Sequence, residues 1–193
     1  MPLSLCIELD HAEQARLLDI ARRSIATGLQ TGRALVLDVE QLEEKLKVRA
    51  AVFITLTIDG ELRGCIGSLQ ALEPLAQAVA SSAFNAAFRD RRFPGLRADE
   101  LGAIRIEISV LSEMEPISAA SRQELLDGLQ PGVDGLLLED QGYRSTFLPK
   151  VWEKIESPGE FLEHLCLKAG LGARHWSDTI RFHRYHALSF VES

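Results

Sequence analysis

Hydrophobic positions along the chain follow a helical period in some stretches and a strand period in others. Apolar residues at helical spacing predict an amphipathic helix over Leu9–Thr27, with Asp10 able to cap it and Gly28 able to stop it. A second helix is predicted from Pro74 to about Phe88, because a proline in the first turn loses no helical hydrogen bond. Long helical segments therefore lie in both the first and the second quarter of the chain.

Two further helices are predicted from their N-terminal signals. Ser121 and Glu124 have the spacing of a capping box, which predicts a short helix to about Leu129. The segment Ser157-Pro158-Gly159-Glu160 combines a capping serine, a proline in the first turn and a glutamate, and Gly170 can stop the helix that follows. This last helix has the best-marked ends in the sequence.

Strands are predicted where apolar and polar residues alternate or β-branched residues accumulate. Residues 104–110 alternate with a period of two, and Ala51–Ile58 and Glu61–Gly67 are separated by Asp59-Gly60, a strong signal for a type I′ hairpin. Three more strands are predicted, at Gly135–Glu139, at Tyr143–Leu148 and at Thr179–Tyr185. Because hairpins supply most of the strand pairs, the predicted class is α+β, with a mainly antiparallel sheet and flanking helices.

Composition narrows the class of protein without identifying a reaction. A chain of 193 residues with 46% hydrophobic and 25% charged residues is expected to form one domain, with a core over about residues 10–185. The net charge of −7 argues against nucleic acid and anionic membranes as partners, and no apolar run approaches the roughly 20 residues of a membrane span. Without a signal-peptide pattern, and with the three unclustered cysteines Cys6, Cys65 and Cys166, we expect a reducing cytoplasmic location.

Three segments together resemble the AMMECR domain family, whose prokaryotic members are known as AmmeMemoRadiSam system protein A. They are Leu62-Arg63-Gly64-Cys65-Ile66-Gly67-Ser68, Phe88-Arg89-Asp90-Arg91-Arg92-Phe93-Pro94-Gly95-Leu96 and Tyr143-Arg144-Ser145-Thr146-Phe147-Leu148-Pro149-Lys150-Val151-Trp152. Departures are small, with Arg91 where the family often has proline and Ser145 where it often has alanine. The resemblance covers roughly residues 10–185.

This resemblance implies a fold of two unequal lobes that share a cleft, and no established activity. It also implies a Memo-like protein and a radical S-adenosylmethionine enzyme as partners. Two functions follow as hypotheses: an accessory or small-molecule tailoring component with a pocket at the Arg-Gly-Cys-Ile-Gly strand, or a non-catalytic adaptor. For the adaptor, Trp152 and Trp176 are candidate anchors of a protein interface, although aromatic residues are more often core.

The Arg-Gly-Cys-Ile-Gly strand supplies the candidate reactive group, Cys65. A two-residue turn at Asp59-Gly60 predicts cross-strand pairs of Leu56 with Arg63, Ile54 with Cys65 and Val52 with Gly67. Arg63 and Cys65 would then share a face, where the guanidinium could stabilise a thiolate. The same face would carry apolar residues, where a cysteine is usually a small buried hydrophobe. Both interpretations of Cys65 stay open.

The remaining candidate residues surround this strand. Gly64 and Gly67 lie inside the strand, where glycines mark the close approach of either a ligand or a packing neighbour. Asp90 and Arg92 predict a local ion pair, and the alternative is an anion site formed by Arg89, Arg91 and Arg92. The hypothesised pocket consists of Cys65 as the reactive group and of Arg63, Gly64, Gly67, Ser68, Asp90, Arg92, Phe93 and Thr146. His183-x-x-His186 lacks the helical context and the glutamate of a zinc protease, and the other three histidines are scattered, so we predict no metal site. No nucleotide-binding motif is present, and the sequence indicates no particular cofactor.

Overall fold

A computed structural model of the protein describes residues 7–192, which divide into two compact units. Unit A comprises residues 7–111 and 188–192, and unit B comprises residues 112–187. The expectations for the N-terminal segment, including Cys6, lie outside the described residues. Among the described residues, no helix combines the length and the apolar character needed to cross a bilayer.

The helices of unit A are α1 (His11–Thr31), the short α2 (Glu44–Lys47) and α3 (Leu75–Phe88). Asp10 caps α1 as predicted, by accepting a hydrogen bond from the backbone N–H of Glu13. The predicted stop at Gly28 is wrong, because α1 continues to Thr31 and is capped by Gly32 in the left-handed conformation. Gly28 instead provides the space in which the rings of Phe84 and Phe88 pack against α1.

The sheet of unit A contains four antiparallel strands. They are β1 (Val52–Ile58), β2 (Glu61–Gly67), β3 (Arg105–Leu111) and β8 (Ala187–Val191), in the order β2-β1-β3-β8. One face of the sheet is fully buried and belongs to the same core as α1 and α3; its residues on the two central strands are Val52, Ile54, Leu56, Ile106, Ile108 and Val110. The predicted strands are present, whereas β8 had no counterpart among the predictions.

The register of the β1–β2 hairpin differs from the predicted one beyond the turn. Asp59 and Gly60 both have positive φ, as a type I′ turn requires, and Thr57 pairs with Leu62 as expected. The register then shifts, so that Leu56 pairs with Gly64 and Arg63 has no partner on β1. This β-bulge moves every later residue of β2 by one position and therefore to the opposite face.

Unit B contains a second four-stranded antiparallel sheet and two helices. The strands are β4 (Glu115–Ile117), β5 (Gly135–Asp140), β6 (Tyr143–Phe147) and β7 (Arg181–Tyr185), in the order β4-β7-β5-β6, and the helices are α4 (Arg122–Gly128) and α5 (Pro158–Lys168). Its core includes Trp152, whose indole stacks on the Phe161 ring at 3.9 Å between centroids. The predicted α+β class with antiparallel sheets is confirmed.

Candidate functional site

The second face of the unit A sheet, opposite the helices, carries polar side chains and the Cys65 thiol. Cys65 lies directly opposite Thr55 on β1, and Thr55 lies directly opposite Glu107 on β3, so the three residues form a row across the sheet. Ser109 lies on the same face and its hydroxyl is 2.8 Å from that of Ser189. We call the residues Thr55, Cys65, Glu107 and Ser109 the polar face.

The predicted pairing of Cys65 with Ile54 is wrong, because the bulge at Arg63 places Cys65 on the polar face. The Thr55 hydroxyl donates a hydrogen bond to Cys65 Sγ at 3.4 Å, and the thiol is half-buried. Cys166 offers a contrast within the same chain, since it is fully buried and burial raises its pKa.

The backbone of Cys65 is held by Asp90 and Arg92. One Asp90 carboxylate oxygen accepts the Cys65 N–H at 2.9 Å, and Arg92 Nη2 donates to the Cys65 carbonyl at 3.3 Å. The two side chains are joined to each other, with Arg92 Nε and Nη2 donating to the Asp90 carboxylate at 2.9 and 2.7 Å. The predicted ion pair between Asp90 and Arg92 is therefore confirmed.

The pKa values of Asp90 and Arg92 both reflect their contact with each other and with Cys65. The side-chain hydrogen bond from Arg92 holds the pKa of Asp90 far below its ordinary value, with the Cys65 N–H contributing in the same direction. The pKa of Arg92 is raised, first by its hydrogen bond to Asp90 and to a smaller degree by the charge of Cys65. The Asp90 carboxylate thus links the Arg92 guanidinium to the backbone of Cys65.

Arg63 is bound elsewhere. Its Nε and Nη2 donate to the two Glu100 carboxylate oxygens at 2.7 and 3.0 Å, a bidentate pair that lowers the pKa of Glu100 to about 2. The guanidinium that contacts Cys65 is that of Arg92, not that of Arg63. The residue predicted to activate the thiol therefore anchors the bulge to the short 3-10 turn Ala98–Glu100.

The other predicted pocket residues of unit A contribute packing and local turns. A Cβ on Gly64 would overlap the Ala86 carbonyl oxygen of α3, and a Cβ on Gly67 would overlap Val52 and Phe53, so neighbouring atoms of this chain fill both positions. Ser68 is exposed and its hydroxyl bonds the backbone of Gln70. The Phe93 ring lies under the Arg92 guanidinium, 5.5 Å from its centre.

Thr146 belongs to unit B, on β6. Its hydroxyl donates to the Leu136 carbonyl at 2.9 Å and lies 2.6 Å from the Tyr185 hydroxyl, which itself donates to the Phe147 carbonyl. Burial raises the pKa of Tyr185 well above its ordinary range. Both hydrogen bonds of the Thr146 hydroxyl are therefore made with residues of unit B.

Unit B also contains a polar cluster that the sequence did not indicate. The buried Asp140 carboxylate accepts hydrogen bonds from Thr179 at 2.6 Å and from Ser177 at 2.8 Å, and lies 2.6 Å from His175 Nε2. The hydrogen bond from Thr179 is the first cause of the lowered pKa of Asp140, and His175 is the second. The cluster joins the loop before β7 to the end of β5. No group of three or more metal-binding side chains occurs within residues 7–192.

Sequence reasoning missed that Thr55 lies opposite the cysteine and that Glu107 lies in the same row across the sheet. Both were assigned to the correct strands, but the one-residue bulge reversed the face on which Cys65 lies. The only local signal was Gly64, since a glycine inside a strand can mark a bulge. A bulge leaves no periodic pattern from which its position could be read.

Comparisons with known proteins agree with the motifs. The family profile described as AMMECR1 matches residues 18–190. A protein of Methanothermobacter thermautotrophicus is 36% identical over 190 residues, covering 95% of this chain and 96% of its own length. A protein of Methanosarcina mazei is also 36% identical, over 95% of this chain and 94% of its own.

A solved structure supports the same assignment. The crystal structure of the uncharacterized protein PH0010 from Pyrococcus horikoshii superimposes with a TM-score of 0.85 at 31% identity, covering 92% of this chain and 90% of that chain. Its fold is thus similar over nearly the whole length of both chains. From the profile match, the relatives and this structure, the chain belongs to the AMMECR1 family.

Proposed function

We propose that this protein is an accessory component of a small-molecule tailoring system, in which the Cys65 thiol is the group that reacts with or holds the small molecule. We further propose that it works in the cytoplasm beside a Memo-like protein and a radical S-adenosylmethionine enzyme. The partners come from the family resemblance, and the role of Cys65 comes from geometry. No bound cofactor is part of the proposal.

The placement of Cys65 on the polar face carries the proposal. Its sulfur accepts the Thr55 hydroxyl at 3.4 Å, and its N–H is fixed by Asp90 at 2.9 Å. A cysteine that only fills space is surrounded by apolar atoms, as Cys166 is in the core of unit B. Cys65 instead combines partial exposure, a hydrogen-bond donor at sulfur and a nearby guanidinium, the setting in which thiols are reactive.

Alkylation of the native protein with iodoacetamide tests the proposed role of Cys65. Peptide mass spectrometry separates the three cysteines, so Cys166 serves as a buried control in the same sample. We expect rapid modification of Cys65 near neutral pH and protection of Cys166 until the protein unfolds. A native protein in which Cys65 is as protected as Cys166 would contradict a role for this thiol.

Co-purification with tagged partners tests the second part of the proposal. A tailoring component should still bind its partners as a Cys65→Ser variant, because the substitution changes one half-buried atom, but the assembled system should lose its product. If Cys65→Ser supports full product formation in the assembled system, the non-catalytic adaptor becomes the better description.

A further inference from the structure

We propose that the Cys65 site takes small carboxylic acids, and that Arg92 binds the carboxylate while the rest of the molecule contacts the thiol. This inference rests on the proposed function of Cys65 and adds a substrate class to it. It is carried by the geometry of the Arg92 guanidinium, which is fixed in position but only partly used by the chain.

Arg92 is fixed on one edge of its guanidinium. Nε and Nη2 form a fork with the carboxylate of Asp90, a side chain that is 5% exposed and itself bound to the Cys65 N–H. The Phe93 ring supports the guanidinium from one side. Because the side chain is already ordered, a ligand that binds it would lose little further conformational entropy to arginine.

The opposite edge of the guanidinium remains available. Arg92 Nη1 has no hydrogen-bond partner among residues 7–192, and 58% of the Arg92 side chain is exposed. Arginine nitrogens of this kind bind carboxylate and phosphate. Asp90 offsets the single positive charge of Arg92, so the pair has no net charge and a ligand would be bound mainly by the N–H donors of Nη1. Such a neutral pair repels a singly charged carboxylate less than a doubly charged phosphate once the Asp90 charge is counted.

Distance limits the size of the acid. Arg92 Nη2 is 3.3 Å from the Cys65 carbonyl oxygen, and a cysteine sulfur lies within about 5 Å of its own carbonyl oxygen by covalent geometry. Nη2 and the thiol are therefore within roughly 8 Å of each other, and Nη1, two covalent bonds from Nη2, is within roughly 10 Å of the thiol. In a molecule that meets both groups, the carboxylate and the atom at the sulfur are separated by only a few bonds.

The Asp90–Arg92 pair also has a structural role, which uses different atoms. β2 is an edge strand, and the pair satisfies the Cys65 N–H and C=O groups that face away from β1. That role uses Nε and Nη2 and does not use Nη1. A test must therefore separate the effect of the charge near the thiol from the effect of a disturbed strand edge.

Two alkylating reagents of nearly equal size provide this test on the full chain. Iodoacetate carries a carboxylate and iodoacetamide is neutral, so the ratio of their rates at Cys65 reports carboxylate binding. The same ratio in urea-unfolded protein is the reference. We expect the native ratio to exceed the reference by about tenfold, which corresponds to about 1.4 kcal/mol.

Variants then assign the effect to Arg92. Arg92→Gln should bring the ratio close to the reference, while Arg91→Gln, which removes the same charge from the exposed neighbouring residue, should leave it high. Because Arg92→Gln could loosen the edge of β2, Arg92→Lys is a second variant that keeps the charge. We expect it to retain part of the preference, since a lysine cannot form the fork.

The possible failures are distinguishable. If native Cys65 reacts with neither reagent, the proposed function itself is wrong. If Cys65 reacts with iodoacetamide but the native ratio equals the reference, the thiol role survives and the carboxylic-acid class is overturned. A preference that persists in Arg92→Gln, or that disappears equally in Arg91→Gln, would overturn the role of Arg92.

Discussion

Arg63 is close to Cys65 in sequence and Arg92 contacts its backbone carbonyl. The two arginines have different roles, as the different exposure of their side chains indicates. The Arg63 side chain is 12% exposed and forms a bidentate pair with Glu100, whereas most of the Arg92 side chain is accessible to solvent. An enclosed fork–fork pair is rigid and contributes to stability. Arg63 is therefore best understood as a fixture of the bulge, and Arg92 as the arginine that a ligand can reach.

Removing the charge of Glu100 should destabilise the protein in a pH-dependent way. Glu100→Gln leaves a mostly buried guanidinium without its partner, so we expect a loss of roughly 1–2 kcal/mol in the free energy of unfolding near neutral pH. The pKa of Glu100 is depressed in the folded protein, so the pair stabilises above about pH 4.5 and ceases to do so as pH falls to about 2. Urea titrations should show the wild type and the variant converging over that interval.

Glu61 is exposed and lies on β2, the strand that carries Arg63, so Glu61→Gln gives a matched control for the Glu100→Gln experiment. Glu61→Gln should change the unfolding free energy by less than about 0.5 kcal/mol at every pH. A Glu100→Gln variant with wild-type stability near neutral pH would mean that the Arg63 pair does not stabilise the bulge.

Individual residues mark the limit of prediction from this sequence. The sequence predicted the β1–β2 hairpin and its turn, in which Asp59 and Gly60 both have positive φ. The face of Cys65 was not predicted, because strand periodicity propagates any one-residue shift to all later positions. The register shift places Gly64 opposite Leu56, where it packs against α3. It also leaves Arg63 bound to Glu100. Both contacts join residues that are far apart in sequence. Neither contact can be read from local pattern.

At the level of elements, α3 and β2 approach so closely that only a glycine fits at position 64. The neighbouring atom is the backbone carbonyl oxygen of Ala86, which cannot rotate away as a flexible side chain would. Gly64→Ala should therefore separate the helix from the strand and destabilise the protein by roughly 2–3 kcal/mol. Thermal or urea unfolding would measure this loss.

Gly102 provides the control for the Gly64 substitution. A Cβ there meets no atom within 4 Å, so Gly102→Ala should change stability by no more than about 0.5 kcal/mol. If Gly64→Ala is as well tolerated as Gly102→Ala, the close packing of α3 on β2 is not what selects glycine at this position.

Elements were predictable in proportion to their length and to their end signals. The three longest helices, α1, α3 and α5, and the strands β1, β2 and β3 were all found, because their periodicity extends over several residues. The strand β4 has three residues and α2 has four, too few to establish a period. The strand β8 follows β7 after the single residue His186, and it was missed because the last predicted strand ended at Tyr185.

On the scale of the whole molecule, unit A is built from two separate parts of the chain, joined by an ion pair. Arg22 on α1 donates to Glu192 at 2.7 Å through Nε, and it also donates to the carbonyl oxygens of Leu101 and Ile104. Glu192 in turn accepts the N–H of Ile106 on β3. One carboxylate beyond β8 therefore links the first helix to the sheet.

Loss of this carboxylate should loosen the end of unit A. Glu192→Ala leaves the partly buried Arg22 without its charged partner, although its bonds to the Leu101 and Ile104 carbonyls remain. We expect a destabilisation of roughly 2 kcal/mol with faster amide exchange in β3 and β8. Asp19→Ala, which breaks only exposed pairs on α1, should cost less than about 0.5 kcal/mol. Unchanged exchange in β8 of Glu192→Ala would show that the strand is held by other contacts.

The position of β8 in the sequence has a consequence for synthesis on the ribosome. β8 borders β3 in the sheet, but all of unit B is encoded between them. A nascent chain therefore exposes an unpaired β3 edge for the whole time that unit B is being translated. Unpaired strand edges are templates for pairing with other chains. We therefore expect incomplete chains to aggregate more readily than the finished protein, and slowing translation within unit B would prolong that state.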